Sequence, residues 1–310
     1  MSAWLGRAGA RAVLAVLWLL HWLPLPALAL LGRLLGRLLH ALGRTRRRIA
    51  LRNVQRCLAD WSPDRQQALV REHFQYLGRS LLERGVLWWA SPRRLRRLIR
   101  VEGDVELASR TPAPFMWVVP HFLALETAGA AVQLFQARAA ITLYQRQSNP
   151  VFDRAMYRGR LRFGRATAHT RHDNALKLLR EVKSGAAFFN LPDMDFGLKD
   201  ADFIDFFGHP AATLLAPARM ARSMGMTVQP VVALMTPDGR GYRVKFLPPW
   251  TDWPGPDDDR AAARRLNAWI EQEILACPAQ YLWVHKRFKT RPPGEPDFYG
   301  SEPSHPHGRD

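Results

Sequence analysis

The sequence is nearly without cysteine: Cys57 and Cys277 are the only two in 310 residues. That excludes a disulfide framework, and with no C-x-x-C it argues against a cysteine zinc site. Acid is scarce as well. Asp+Glu number 27 against 45 Lys+Arg, a net charge of +18. A balance this basic points to an anionic partner: nucleic acid, phospholipid headgroups, or acidic carriers and substrates. No helix-turn-helix, zinc-finger or RNP signature is present, so nucleic acid has only the charge in its favour. No G-x-S-x-G is present either, which argues against an ordinary serine esterase. There is no internal repeat. What the chain does have is a 47% hydrophobic and 10% aromatic composition. That is enough for a packed core and excludes a mostly disordered chain.

From Ala12 to Leu31 only His21 is strongly polar. About twenty residues at 1.5 Å rise span the hydrocarbon core of a bilayer, although Pro24 and Pro26 would kink or break such a helix. The alternatives are a merely interfacial helix or a cleaved signal peptide, the latter because Arg7 and Arg11 precede the run and Ala27-Leu28-Ala29 resembles a cleavage site. Against it, Arg33, Arg37, Arg44, Arg46, Arg47 and Arg48 follow the run, and excess positive charge stays cytoplasmic. The expectation is therefore an uncleaved single-pass anchor, residues 1–32, with the body on the cytoplasmic side. Leu34, Leu35, Leu38, Leu39 and Leu42, interleaved with arginines, predict a basic amphipathic helix for a membrane surface. Residues 62–100 read as helical. There Trp88 and Trp89 lie just ahead of Arg93, Arg94, Arg96, Arg97 and Arg100, a pairing suited to a headgroup layer. Residues 33–100 thus read as a membrane-surface region.

From about residue 100 the pattern alternates. Strands are expected at Phe115–Val119, Ile141–Tyr144, Ala186–Leu191, Val228–Met235, Tyr242–Leu247 and Tyr281–His285. Helices are expected at Phe122–Gln136, Asn174–Lys183, Ala216–Met224 and Arg260–Ala276. Such alternation means an α/β fold with a central, largely parallel sheet flanked by helices, over residues 101–299. Residues 300–310 read as a flexible tail.

His121-Phe-Leu-Ala-Leu-Glu126 has a His-x4-acid spacing. With ten histidines and 27 acids in the chain, about one such match arises by chance, and His305 with Asp310 is another. Context separates them: His121 follows a strand and Pro120 at the mouth of a helix, where sites form over open α/β sheets. Tyr144–Pro150 and Arg158-Gly-Arg-Leu-Arg162 cluster guanidinium groups able to bind phosphate or carboxylate. Asn190-Leu-Pro-Asp-Met-Asp-Phe-Gly197 sets Asp193 and Asp195 in a turn after a strand, where aspartate also serves as a plain turn former. Phe206-Phe-Gly-His-Pro-Ala-Ala-Thr213 leads into Ala216-Pro-Ala-Arg219.

With these motifs, and with Gln280-Tyr-Leu-Trp-Val-His-Lys-Arg-Phe-Lys-Thr-Arg-Pro292, the chain resembles the lipid A biosynthesis acyltransferases, the late lauroyl/myristoyl-type enzymes, from the anchor through Tyr299. The resemblance implies the glycerolipid-acyltransferase fold and a bacterial inner-membrane anchor. It also implies acyl carrier protein thioesters as donor, a phosphorylated, Kdo-bearing lipid A precursor as acceptor, and no cofactor or metal. In that light His121 is the general base for the acceptor hydroxyl, and Glu126 fixes its tautomer and stabilises the imidazolium. No covalent acyl-enzyme is needed, because the acceptor hydroxyl is the nucleophile. Arg160 would hold substrate phosphate or support the donor, with Arg162 second; Asp193, Asp195 and Arg219 complete the expected substrate-binding set. Backbone N–H groups at a helix start are candidates for the oxyanion. His209 is assigned no role. The basic charge would serve anionic membrane lipids, the acidic carrier and the acceptor, and no nucleic acid. A hydrolase, or an acyltransferase of the same superfamily acting on a lysophospholipid, ornithine lipid or glycolipid, is the alternative.

Overall fold

The computed structural model describes residues 2–170, 175–256 and 258–300. Helices α1 (Ser2–Leu20), α2 (Leu25–Leu42), α3 (Arg44–Cys57), α4 (Pro63–Trp89) and α5 (Pro92–Leu98) come first. β1 (Ile99–Gly103), α6 (Leu107–Arg110), β2 (Phe115–Val118) and α7 (Leu125–Leu134) follow. The alternation continues through β3 (Ala140–Tyr144), α8 (Pro150–Arg160), β4 (Ala166–Thr170), α9 (Ala175–Lys183) and β5 (Ala187–Asn190). A hairpin of β6 (Ala201–Phe206) and β7 (His209–Leu214) precedes α10 (Ala216–Met224), β8 (Thr227–Met235), β9 (Tyr242–Phe246) and α11 (Asp259–Ala276).

Seven strands form one sheet in the order β1-β9-β8-β2-β5-β3-β4. β8, β2, β5, β3 and β4 are parallel, β9 returns antiparallel to β8, and β1 lies parallel to β9. The α/β architecture expected from the alternation is the one observed. β2 and β5 are buried at every position, as strands covered on both faces must be. Ser62 and Ser91, each followed by proline, cap α4 and α5 by accepting the Arg65 and Arg94 amides.

The N-terminal part differs from expectation. The run Ala12–Leu31 is not one helix: α1 ends at Leu20, and α2 starts after Pro24, which cannot continue a helix. The Arg94 guanidinium closes the turn between them by donating to the carbonyls of His21 and Leu23. Leu34–Leu42 form no separate surface helix either; they are the second half of α2. α2 lies along α4 with the backbones touching. A Cβ on Gly78 would stand 2.1 Å from the Gly32 carbonyl oxygen and 2.5 Å from the Gly36 nitrogen, so only glycine permits this approach. Leu25, Leu28 and Ala29 are buried at the contact, while Leu30, Leu31, Leu34, Leu38 and Leu42 stay exposed. One core runs from Leu25 to Tyr299. A boundary at residue 32 therefore cuts α2, and one at residue 100 cuts β1. On α4 the Arg79 and Glu83 side chains form a buried pair at 2.7 Å, and Arg79 Nη1 also donates to the Thr236 carbonyl at 2.9 Å.

Tyr281–His285 is not a strand. Tyr281 makes a single bridge to Phe122, and the chain then turns, Trp283 N–H donating to Tyr281 O and His285 N–H to Leu282 O. A side chain takes the place of the missing ladder: the Gln280 amide accepts from Met235 N–H at 2.8 Å and donates to Met235 O at 2.9 Å. The expected helix start at Asn174 and the tail from residue 301 lie outside the described residues.

Two histidines, the fully buried His73 and the partly buried His285, are held neutral. Burial pushes His73 and His285 down from 6.5 to about 4. His73 Nδ1 lies 3.1 Å from the Ala279 carbonyl, and His285 Nε2 accepts from the Asp195 amide at 3.1 Å. The unfolded chain takes up each proton near 6.5 and the folded chain only near 4. Their contribution is therefore complete above that window and is lost as pH falls through it, by at most about 1.4 kcal/mol per pH unit for each group. Thermal midpoints measured across the window should fall with pH, less steeply in His73→Asn. An equal slope in the variant would assign the acid loss to other groups.

Candidate active site

β2 and β5 are neighbours, so their C-terminal ends bring two parts of the sequence together. Val119 N–H still donates to Asn190 O, after which Pro120 and Pro192 end both strands. His121 N–H then donates to Asp193 Oδ2 at 2.8 Å, and the ring Nδ1 lies 2.7 Å from Asp193 Oδ1. A carboxylate only accepts, so Nδ1 carries the proton and Nε2 keeps its lone pair. Asp193 is 1% exposed. Burial opposes its charge, but the His121 imidazole and the two hydrogen bonds from that residue hold the carboxyl below its usual value. From the other side, Leu282 N–H donates to His121 O at 3.0 Å and Leu123 N–H to Gln280 O at 2.8 Å. The Gln280–Pro292 motif is thus the brace of the His121 loop. Its Arg287 in turn reaches Ala212 O at 2.7 Å and Thr213 Oγ1 at 2.9 Å.

Glu126 stands in the first turn of α7, where the helix N-terminus favours negative charge. Among the described residues no hydrogen bond joins it to His121. Its carboxylate takes Arg160 Nε at 2.9 and 3.0 Å and also Nη2. The position expected of Glu126, holding the ring, is occupied by Asp193. Burial works against the Glu126 charge, but Arg160 and then Arg84 keep its carboxyl below the usual value. Arg160 ends α8, and Gly159 before it lies flat on Trp88, where a Cβ would stand 2.4 Å from the indole. Gln133 Nε2 fixes the same helix end through Arg160 O at 2.8 Å.

His121, Glu126 and Arg160 line one cavity of about 390 Å³, together with Arg84 and a mostly apolar wall that includes Leu87, Trp88, Ile141, Phe163 and Phe188. A slot of carbon with a few converging polar groups suits an aliphatic chain carrying its reacting group to a fixed point.

The other expected residues stand elsewhere. Arg162 donates to the Leu87 carbonyl at 3.3 Å and to that of Ala90, tying down the end of α4, and stacks on Phe163. Asp195 accepts from Thr290 N–H at 2.6 Å, Thr290 Oγ1 at 2.8 Å and Gly197 N–H at 3.0 Å, pinning the C-terminal segment. Arg219 pairs with Asp259 at 2.6 Å and ties α10 to α11. None of the three lines the cavity. Asp193 reaches it only through His121. Sequence reasoning missed the His121–Asp193 bond, although both residues follow a strand-ending proline. It also missed Arg84, which nothing in the sequence distinguishes from the other arginines.

Residues 2–290 match the bacterial lipid A biosynthesis acyltransferase family. The chain is 33% identical over 289 residues to the lipid A biosynthesis palmitoleoyltransferase of Escherichia coli K12, covering 92% of each. It is 32% identical over 302 residues to the lauroyltransferase of the same organism, covering 96% of this chain and 94% of the relative. To the myristoyltransferase it is 31% identical over 285 residues, covering 91% and 85%.

Asp193→Asn tests the ring's anchorage. An amide can present its NH₂ to Nδ1 and so favour the wrong tautomer. Turnover should fall by about two to four orders of magnitude, with little change in thermal midpoint. Wild-type turnover in the variant would reduce the bond to a structural one.

Proposed function

The chain belongs to the bacterial lipid A biosynthesis acyltransferase family, and from that premise we propose that it moves a fatty acyl chain from acyl carrier protein to a hydroxyl of a Kdo-bearing lipid A precursor. The observation that carries the reading is His121: Nδ1 is engaged by a buried carboxylate, and the ring lines an apolar cavity. Nε2 takes the proton as the acceptor oxygen attacks the thioester carbonyl carbon. The C–S bond then breaks, and the departing sulfur takes that proton back. Asp193 stays ionised and stabilises the imidazolium between the two transfers. The nucleophile is the acceptor's own hydroxyl, so the protein needs no serine or cysteine at the site.

Glu126 acts through Arg160. Its carboxylate fixes the guanidinium with Nε and Nη2, and Nη1 is left for a substrate oxygen. The net charge of +18 favours an acidic carrier and a phosphorylated acceptor. The working place is the cytoplasmic face of the inner membrane. Supporting this, Trp18, Trp22, Leu30, Leu34, Leu38 and Leu42 are exposed on α1, α2 and the turn between them, with Arg37, Arg44, Arg46 and Arg48 exposed along the same stretch. α2 is long and apolar enough to cross a bilayer. Yet Arg33, at its middle, donates to the Pro237 carbonyl beyond the end of β8, and the helix is fixed along α4. We therefore read α1 and α2 as seated in the cytoplasmic leaflet, rather than as the single crossing that composition suggests.

His121→Ala should lower turnover by about two to four orders of magnitude without changing the amount of protein in the membrane. Cells carrying only this variant should accumulate an under-acylated lipid A, read by mass spectrometry. Near-normal acylation would end the mechanism. A tag placed before Ser2 should be open to protease only from the cytoplasmic side; cleavage from the periplasm would restore the crossing helix.

A further inference from the structure

We infer that Arg84 is the donor that meets the oxygen of the thioester carbonyl as it becomes negative. The inference rests on the acyl-transfer reading above and assigns a group to a task that backbone N–H groups were expected to perform.

α4 turns Leu77, Ser80, Arg84 and Leu87 toward the cavity, one residue every three or four, with Trp88 beside Leu87. Arg84 differs from the arginines that tie the fold together, each of which finds at least one acceptor. Arg79, on the same helix, donates from Nε to Glu83 and from Nη1 to the Thr236 carbonyl. Arg138 donates to the carbonyls of Gly185, Thr111, Ala113 and Ala108. Arg162 likewise ends on backbone oxygens, and Arg287 on the Ala212 carbonyl and Thr213 Oγ1. The Arg84 Nε–H is buried without an acceptor, and no described residue accepts a hydrogen bond from its guanidinium. Its neighbours do not use its charge up. Glu126 attracts it but is already held by Arg160, which repels it; burial, the largest influence, pulls Arg84 below its ordinary value. Among the groups lining the cavity, two guanidiniums thus face one carboxylate.

A buried cation without an acceptor is poised for an anion that the resting protein does not contain. The reaction creates one in that cavity. When the acceptor hydroxyl oxygen bonds to the carbonyl carbon, the carbonyl electron pair moves onto oxygen. Its charge is greatest in the tetrahedral intermediate and vanishes when the C–S bond breaks. A donor fixed on the interior of a long helix stabilises that charge with little reorganisation.

The test uses the purified full-length protein in detergent micelles, with an acyl thioester donor and the lipid acceptor varied separately. Arg84→Gln should lower kcat about 10²–10³-fold. Each KM should stay within about threefold of wild type, because the interaction belongs to the transition state. Arg84→Lys, which keeps one charge but not the fork, should recover part of the rate. A raised KM for one substrate at wild-type kcat would overturn the assignment and make Arg84 a ground-state contact. Unchanged kcat and KM would overturn it as well. If Arg84→Gln does not fold, Arg84→Lys carries the test by binding. A long-chain alkyl phosphonate, whose anionic oxygens imitate the tetrahedral intermediate, should bind it more weakly than it binds wild type, while the neutral alkyl amide binds both alike. Equal phosphonate binding would overturn the assignment. A wild-type protein that transfers no acyl group from the thioester would overturn the acyl-transfer reading and this inference with it. An active wild type beside a fully active Arg84→Gln would overturn the inference alone.

Discussion

The bond between His121 and Asp193 is the constraint around which the site is organised. It exists because β2 and β5 are parallel neighbours whose ladder stops at the same level, each at a proline. The carboxylate takes both the ring and the backbone amide of one residue, so it fixes the loop and the tautomer together. Shifting the register of either strand by one residue would turn one of the pair to the opposite face. The bracing by Gln280 and Leu282, and of their segment by Asp195 and Arg287, serves to hold that level.

The basic composition is spent partly inside. Arg79, Arg94, Arg138, Arg162 and Arg287 point guanidiniums at backbone carbonyls where helices and strands end. A five-donor fork can satisfy several orphan carbonyls at once, which lysine cannot do. The formal charge thus overstates what the surface presents, and part of it acts as a set of internal ties. Arg160 belongs to both classes, paired with Glu126 yet facing the cavity.

The α/β body was legible because its strands and helices differ in period and length. His121, Glu126 and Arg160 were legible as motif members. The pairing among them was not. A His-x4-Glu spacing invites a bond between those two residues, whereas the ring is bonded across the sheet to a residue 72 positions away. Spacing along a chain carries no record of which strands become neighbours. That Arg162, Asp195 and Arg219 hold backbone and loop partners outside the cavity was hidden for a related reason: a charged residue near a site looks the same in sequence whether it binds a ligand or holds a loop. The N-terminal run gave no sign that one face of it packs on α4, because an apolar stretch reads alike whether lipid or another helix covers it. The glycines at 32, 36 and 78, which favour the helix, have no meaning until they face one another.

That glycine contact has a mechanical consequence. Side chains between two helices act as a cushion, rotating to absorb small displacements. Where Gly32 and Gly36 of α2 meet Gly78 of α4 there is none, since the backbones touch. α4 is at once the bed of α2 and a wall of the cavity through Arg84, Leu87 and Trp88. α2 and the cavity therefore share one stiff beam. A tilt or bend of α2, imposed by the thickness or curvature of whatever it rests on, reaches the chamber wall undamped.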